Sequence, residues 1–239
     1  MSKIKIMNTL NIIIISLIVT GISACFTSTK QQTAASIGDL KPIKLLKPQM
    51  DIGKPLMQVL KERRTERSFS TKKLPDQMLS NLLWAAFGIN RPDSGKRTAP
   101  SAVNWQEIDI YVALEEGLFI YSAEAHSLNP VLAQDIRKET IQALQPLGFS
   151  VEDAPVQIIY VANGDKRNML EVFTNASEED MYAAADTGFI CENVYLFCAS
   201  EGLGTVVRGM VDRDKLHGII KLGPKQKVVL AQSVGYPNE

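Results

Sequence analysis

The stretch "EIDIYVALEEGLFIYSA", residues Glu107 to Ala123, decides the fold class. In "EIDIYVAL" and again in "GLFIYSA", apolar residues alternate with others at a period of two, which is typical of β-strands. The two runs are separated by Glu115-Glu116-Gly117, and they therefore predict a β-hairpin. Because a hairpin pairs its strands antiparallel, and because helical patterns occur elsewhere in the chain, the sequence predicts an α+β fold.

Helical patterns lie on both sides of this hairpin. A first helix is expected over Pro55–Arg63, and a second is expected from Asp76 to Phe87, with Gly88 ending it. Beyond the hairpin, helices are expected over residues 130–148, 181–204 and 212–223, and further strands over 155–163 and 226–237. Residues 205–211 are expected to form a strand or an extended loop. The helix at 181–204 is almost wholly apolar, which is typical of a helix in a domain core.

The composition is that of an ordinary globular protein. Of the 239 residues, 45% are hydrophobic and 22% are charged, and the 26 basic residues equal the 26 acidic ones in number. A chain with zero net charge lacks the basic surplus typical of nucleic-acid-binding proteins, so no nucleic-acid partner is expected. Any site for an anion must therefore be a local cluster of basic residues.

Cysteine and histidine spacing predicts neither a disulfide nor a metal site. Cys191 and Cys198 are seven residues apart in a helical pattern, which separates them by ~10 Å along the helix. The Cα atoms of a disulfide lie within ~7 Å, so these two cysteines are expected to be buried thiols. His126 and His217 are far apart in the sequence and form no metal-ligand motif.

The N-terminus has the pattern of an export signal. Lys3 and Lys5 precede the apolar run "LNIIIISLIVTGISAC", which ends at Cys25 and is short for a membrane span of ~20 residues. "ISAC" resembles a bacterial lipobox, in which the cysteine is lipidated, and a plain cleavable signal peptide is the alternative. We expect a signal peptide over residues 1–25, a polar tether over 26–39 and one domain over 40–239. The mature protein is then an exported, membrane-anchored lipoprotein on the periplasmic or cell-surface side.

A second notable segment is "RRTERSF", which follows the first predicted helix. Arg63, Arg64 and Arg67 concentrate positive charge there, and Thr65 adds a hydroxyl. One interpretation is a solvated turn whose arginines complement the negative end of the helix dipole. The other is a phosphate site, because guanidinium groups bind phosphate in bidentate fashion. The segment alone does not decide between them.

Three further segments occur in the same order and spacing as in a known family. They are "RTAPSAVNWQ" (Arg97–Gln106), "DTGFICENVYLFCASEGLG" (Asp186–Gly204) and "TVVRGMVD", and the chain closes with "SVGYP". Together with "RRTERSF" they resemble the nitroreductase family of FMN-dependent oxidoreductases over nearly the whole mature chain. "EEGLFIYSAEAHSLNPV" is more similar to the small SagB/ThcOx-type branch. The resemblance implies a central mixed or antiparallel sheet flanked by helices, bound FMN, and a homodimer with flavins at the subunit interface.

The resemblance also implies roles for particular residues. Those expected to bind the FMN phosphate and ribityl chain are Arg63, Arg64, Thr65 and Arg67. Those expected to touch the flavin of the partner subunit are Pro100, Ser101, Ala102 and Asn104. The stretch expected beside the isoalloxazine ring is Arg208, Gly209 and Met210, where small Gly209 admits close backbone approach. No catalytic residue is assigned, because FMN carries the electron chemistry.

Two departures from the family pattern limit these expectations. The chain ends at Glu239 without the basic C-terminal tail that completes the phosphate site in classical members. Met181-Tyr182 stands where azoline-oxidising relatives have a Lys-Tyr pair, so peptide azoline oxidation is not expected.

The function expected first is a ping-pong transfer of hydride or electrons to a small organic acceptor such as a nitroaromatic or a quinone. The electron donor is left open between NAD(P)H, a quinol and a reduced flavin. The alternatives are an exported flavin-binding lipoprotein without turnover, and an interaction protein that uses the dimer surface.

Overall fold

A seven-stranded, wholly antiparallel sheet forms the centre of the protein. The structure is a computed structural model, and it describes residues 37–142, 150–167 and 176–238. The expected signal peptide, Cys25 and nearly all of the expected tether lie outside the described residues. All described residues fall within one compact unit.

The elements follow one another in the chain as mixed strands and helices. The strands are β1 (Ile43–Lys44), β2 (Ile89–Arg91), β3 (Lys96–Arg97), β4 (Ile108–Leu114), β5 (Gly117–Ser122), β6 (Ser127–Leu132), β7 (Val156–Asn163), β8 (Gly204–Arg208) and β9 (Gln226–Gly235). The helices are α1 (Leu56–Glu62), α2 (Asp76–Phe87), α3 (Ala176–Glu201) and α4 (Arg213–Ile220). Short 3₁₀ turns connect several of them.

The predicted hairpin is confirmed and occupies the middle of the sheet. β4 pairs with β5 in the register Leu114↔Gly117 and Tyr111↔Ile120, and the full strand order is β1-β6-β5-β4-β7-β9-β8. Gly117 has φ of 151°, a conformation that a side chain would strain, which explains the glycine at the end of the turn. β2 and β3 form a separate two-stranded ribbon.

The sheet is covered on both faces. On one face α2 and α3 pack over Ile110, Val112 and Ile158, and on the other face α4 packs over Ala113, Ile159 and neighbouring residues. Every residue of β4 is therefore buried, including those that alternate with its apolar positions. The period-two pattern predicted the strand correctly, and the second helical layer accounts for the burial of both of its faces.

The predicted helices at 55–63, 76–87 and 212–223 are confirmed as α1, α2 and α4. The helix predicted at 181–204 is confirmed as α3, which begins earlier, at Ala176, and ends at Glu201, because Gly204 already belongs to β8. Asp212 caps α4, with its side chain accepting a hydrogen bond from Lys215 N at 3.0 Å. Gly88 follows α2 with φ of −71°, so no left-handed cap occurs there. A Cβ at Gly88 would lie 2.4 Å from Trp84 Cδ1, which gives a steric reason for the glycine instead.

The helix predicted over residues 130–148 is wrong at its beginning. Residues 130–132 belong to strand β6, which pairs with β5, and Arg137–Thr140 forms only a 3₁₀ turn. Pro130 is compatible with this strand because β1 pairs only with Ser127 and Leu128, leaving the rest of β6 at the sheet edge. Residues 143–149 lie outside the described part of the chain.

Among the residues that the structure describes, no helix combines the length and the apolar character needed to span a bilayer.

Candidate flavin site

The basic segment after α1 packs against the edge of the sheet at β8. Glu66 N donates a hydrogen bond to Thr205 O at 3.0 Å, and Phe69, only 1% exposed, forms a bridge with Pro237. A Cβ at Gly204 would lie 2.7 Å from Glu66 Cγ and 3.2 Å from Phe69 Cε1. The absence of a side chain at residue 204 therefore lets the segment approach β8 closely.

Tyr195 on α3 ties this segment to β8. Its hydroxyl accepts a hydrogen bond from Val207 N at 3.1 Å and lies 3.2 Å from Thr65 Oγ1. The guanidinium of Arg63 lies 5.2 Å from the centroid of the Tyr195 ring, within the range of a cation–π contact. One side chain thus fixes Arg63 and Thr65 relative to β8.

A cleft of about 460 Å³ opens beside these residues. Its charged lining consists of Lys54, Lys61, Arg63 and Arg64, with Glu62 and Glu66. Within the described part of the chain, neither Arg63 nor Arg64 makes an ion pair.

The acidic residues of the cleft are already engaged. Glu62 pairs with Lys54 at 2.7 Å, and that contact, together with Gln58, lowers the pKa of its carboxyl. Glu66 accepts hydrogen bonds from Arg67 N at 3.0 Å and Ser68 N at 3.1 Å. The cleft consequently offers uncompensated positive charge, which suits an anion such as a phosphate. Arg67 is exposed and does not line the cleft; its carbonyl accepts a hydrogen bond from Ser150 N.

The loop of residues 100–106 is a second, separate part of the site. Pro100 and Asn104 are exposed, Ser101 Oγ accepts a hydrogen bond from Gln106 N at 3.0 Å, and Ala102 N donates to Asp186 Oδ2 at 2.8 Å. Asp186 is nine residues before Tyr195 on α3, a separation of ~14 Å along the helix. Within one chain the structure does not bring this loop to the basic cleft.

Trp105 packs at the base of that loop. Its ring meets Tyr182 edge-on at 5.9 Å, and the guanidinium of Arg167 lies 5.7 Å from its centroid. The side chain is half-buried. Within the described chain, these contacts give Trp105 a packing role.

A buried carboxyl pair beneath the loop was missed from the sequence. Glu107 is 0% exposed and Asp186 is 3% exposed. Desolvation, and then the neighbouring Asp186, raises the pKa of Glu107 to about 7, and burial also raises the pKa of Asp186. The only sequence signal was a glutamate directly before an apolar strand.

The stretch Arg208–Met210 divides into two environments. The Arg208 side chain is 4% exposed and donates hydrogen bonds to Thr140 O at 2.6 Å, Gln157 Oε1 at 2.8 Å and Ser233 Oγ at 3.1 Å. Burial lowers the pKa of this guanidinium to about 10, so it stays charged at neutral pH. Its side chain is committed to the core and not to a ligand. Gly209 and Met210, by contrast, are exposed just beyond the end of β8.

Comparison with known proteins agrees with this geometry. The nitroreductase family profile matches residues 60–236. A protein of Methanocaldococcus jannaschii assigned as a nitroreductase is 30% identical over 187 residues, which cover 75% of this chain and 90% of that protein.

Solved structures give the same result. The crystal structure of a protein assigned as a nitroreductase from Ralstonia eutropha JMP134 has a TM-score of 0.74 and 37% identity, covering 83% of this chain and 90% of that one. An NADPH:FMN oxidoreductase of Vibrio harveyi, solved with NAD+, shares the fold at a TM-score of 0.56 and 17% identity, covering 77% of this chain and 69% of that one. The fold thus has its counterpart in these solved structures, and, since the family profile matches residues 60–236, the chain belongs to the nitroreductase family.

Proposed function

We propose that this protein is an FMN-dependent oxidoreductase that transfers hydride or electrons, by a ping-pong mechanism, to a small organic acceptor such as a nitroaromatic or a quinone. Membership of the nitroreductase family supports an oxidoreductase with a flavin cofactor. The observation that carries the choice of FMN is the cleft at Arg63 and Arg64, where two guanidinium groups without ion pairs within the described residues face a cavity of about 460 Å³. Such a cleft suits a terminal phosphate.

The residues fit such a cofactor in two further respects. Among the described residues, a Cβ at Gly209 would meet only Leu230 Cδ2 at 3.9 Å, an ordinary contact, so none of them requires glycine there. Close approach by a planar ligand is a reason for that glycine. Thr65, oriented by Tyr195, lies between the arginines and β8, where a hydroxyl can bond the ribityl chain.

In the proposed mechanism this chain binds and positions the cofactor. Bound FMN would supply the reversible uptake of two electrons. Arg63 and Arg64 would neutralise the phosphate, and Thr65 would hold the adjoining chain. Gly209 and Met210 would line one side of the ring site, and residues 100–104 of the partner copy would line another side. The described structure assigns no general acid or nucleophile, and none is proposed.

We also propose that the active form is a homodimer. Large apolar side chains are exposed on α1 at Leu56, Met57 and Leu60, which are 62%, 76% and 47% exposed, and on α3 at Phe189, which is 49% exposed. Patches of this kind on a soluble domain favour an interface. Dimerisation would also bring the loop at 100–106 of one copy toward the cleft of the other, which a single chain does not achieve.

The proposed location rests on the sequence alone. The apolar run ending in "ISAC" supports a signal peptide over residues 1–25, lipidation of Cys25 and a tether over 26–39, so that the domain from residue 40 is held at a membrane outside the cytoplasm. Similarity of "EEGLFIYSAEAHSLNPV" supports the SagB-type branch. Replacement of Cys25 by serine should move the protein from the membrane fraction to the soluble fraction and abolish labelling by a palmitate analogue. Unchanged labelling would contradict lipidation.

The function is tested by purifying the full chain in detergent and measuring its visible spectrum. We expect a yellow protein with about one FMN per chain, which NAD(P)H, a quinol or a reduced flavin bleaches and a quinone or nitroaromatic acceptor restores. Colourless protein that takes up no added FMN would contradict the proposal. Tight FMN binding without reduction by any donor would instead favour the flavin-binding protein without turnover, an alternative that no structural observation favours.

A further inference from the structure

The loop of residues 100–106 has an unfavourable backbone. Val103, Asn104 and Gln106 have φ of 41°, 58° and 52°, and none of them is glycine. Positive φ is disfavoured for side-chain-bearing residues, and most strongly for a β-branched residue such as Val103. Such a conformation persists only where surrounding contacts impose it, and it is typical of functional sites.

Contacts at both ends hold this loop in place, and Gln106 Nε2 also donates a hydrogen bond to Gly95 O at 3.1 Å. At one end, Ala102 N donates its hydrogen bond to Asp186 Oδ2 on α3 at 2.8 Å. At the other end, Gln106 Oε1 accepts from Arg97 Nε at 2.7 Å, and Arg97 in turn pairs with Glu124 at 2.7 Å. The loop is therefore joined to the long helix by Asp186 and by the contact of Trp105 with Tyr182.

Glu107 follows the loop directly and faces the same carboxyl. Both of its side-chain oxygens are buried, and no described residue gives them a hydrogen bond of ordinary geometry. The backbone N–H of Glu107 itself and the guanidinium of Arg167 lower the pKa of this carboxyl, and the carboxyl of Asp186 raises it. Two carboxyl oxygens attract each other only when one carries a proton, so this contact is a hydrogen bond only in the singly protonated pair.

The proton resides on Glu107. Asp186 already accepts a hydrogen bond from Ala102 N, and its contact with Glu107 lowers the pKa of Asp186 against the effect of burial. Burial, followed by Asp186, raises the pKa of Glu107 to about 7. Arg167 is the cation that acts on both groups, but its guanidinium is also bound to Glu179 at 2.7 Å.

We propose that Glu107 and Asp186 share one proton, and that this proton keeps the loop of residues 100–106 in its strained conformation against α3. Glu107 is then a positioning residue for the contact that the loop makes with the flavin. This role of Glu107 rests on the proposed function. Removal of the proton leaves two buried carboxylates facing each other. Asp186 then shifts away from Glu107, its hydrogen bond to Ala102 N weakens, and the loop relaxes.

The first test uses the flavin-free full chain and the fluorescence of Trp105, whose ring lies between the loop, Tyr182 and Arg167. Between about pH 5.5 and pH 8.5 we expect a sigmoidal change with a midpoint near 7 in the wild-type protein. Glu107→Gln should give a flat profile at the low-pH level, because the amide donates to Asp186 as the protonated acid does. Trp84, the other tryptophan, is bonded to Ile89 O and should contribute a constant signal.

Glu115→Gln is the matched control, since Glu115 is an exposed carboxylate on the hairpin turn. It should titrate like the wild-type protein. Trp105→Phe should remove the pH-dependent signal. A flat wild-type profile, or a Glu107→Gln profile that matches the wild type, would overturn the proposal.

The second test measures FMN binding at about pH 6 and pH 8. We expect the ratio of the wild-type Kd to the Kd of Glu107→Gln to rise roughly tenfold at the higher pH, since the ionisation of the FMN phosphate affects both proteins alike. Equal pH dependence in both proteins would overturn the link between the pair and the cofactor. If neither protein binds FMN at either pH, the proposed function fails, whereas the fluorescence titration still decides whether the pair controls the loop.

Discussion

Arg208 and the pair Arg63–Arg64 are the same type of residue in opposite environments. The Arg208 guanidinium is buried and is bonded to Thr140, Gln157 and Ser233, whereas Arg63 and Arg64 flank an open cleft and make no ion pair with a described residue. The family resemblance placed all three at the flavin. The structure separates them into one that is committed to the core and two whose charge is available to a ligand.

The difference shows that satisfied donors distinguish a structural arginine from a binding one. A guanidinium that is fully desolvated needs its hydrogen bonds in order to be tolerated in the core. Exposed guanidinium groups without an acidic partner gain most when an anion arrives. The same substitution should therefore affect folding at one position and ligand binding at the other.

The largest expected effect is on stability at residue 208. Arg208→Met removes the donors to Thr140 O and Ser233 Oγ and one of the two donors to Gln157 Oε1, so the free energy of unfolding should fall by about 3–4 kcal/mol. Urea denaturation measures this. Arg64→Met is the matched control and should change stability by no more than ~0.5 kcal/mol.

If Arg208→Met does not fold, Arg208→Lys gives the answer instead. A lysine keeps a charge and part of the hydrogen bonding, so an intermediate loss is expected. If the proteins substituted at residues 64 and 208 were equally stable, Arg208 would not differ from Arg64 in its structural role.

The next largest effect is a pH dependence of stability that results from the buried carboxyl of Glu107. The pKa of Glu107 is raised from 4.5 to about 7, so between these pH values the folded protein holds a proton that the unfolded chain has released. The free energy of unfolding should therefore decrease as the pH rises through this window, by on the order of 2–3 kcal/mol. Glu107→Gln should remove this decrease and be more stable than the wild type at about pH 8, while matching it near pH 5. Parallel stability profiles of the two proteins would show that the Glu107 carboxyl ionises normally.

Substitution of the arginines at the cleft should lower the affinity for FMN and leave the stability of the fold nearly unchanged. Arg63→Met and Arg64→Met should each weaken FMN binding by about 2 kcal/mol, roughly thirtyfold in Kd, because each removes a charge-assisted hydrogen bond to the phosphate. Fluorescence titration with FMN and, in parallel, with riboflavin measures this. Riboflavin lacks the phosphate and should bind all three proteins equally weakly. An equal loss of riboflavin affinity would place the arginines elsewhere than at the phosphate.

Local patterns in the sequence predicted much of this arrangement. The hairpin at 107–123 and the helices α1 to α4 follow from hydrophobic periodicity within each segment. The basic residues of "RRTERSF" are neighbours in the sequence, so this cluster of positive charge can be predicted before the fold is known. β6 was missed because "SLNPVL" contains Pro130, and its strand character arises from pairing with β5 and not from its own pattern.

The buried ionisable groups were not predictable in the same way. Arg208 ends a short strand and Glu107 precedes another, as many exposed charges do, and their burial results from packing against residues distant in sequence. The role of Tyr195 was likewise not predictable, because the sequence shows only an aromatic residue in an apolar helix. Its hydroxyl contacts Thr65 and Val207 only in the folded chain.

The smallest expected effect tests how Tyr195 joins the cleft to the sheet. Tyr195→Phe removes the acceptor for Val207 N and the partner of Thr65 but keeps the ring under Arg63. We expect a loss of about 1 kcal/mol in the free energy of unfolding and a severalfold rise in the Kd for FMN. Tyr236→Phe is the control, because the Tyr236 ring contacts Lys72 and its hydroxyl makes no hydrogen bond to another described residue. If Tyr195→Phe lowers stability but leaves FMN affinity unchanged, the Tyr195 hydroxyl has a structural role like that of the Arg208 guanidinium. Thr65 then contacts the ligand without needing its hydrogen bond to Tyr195.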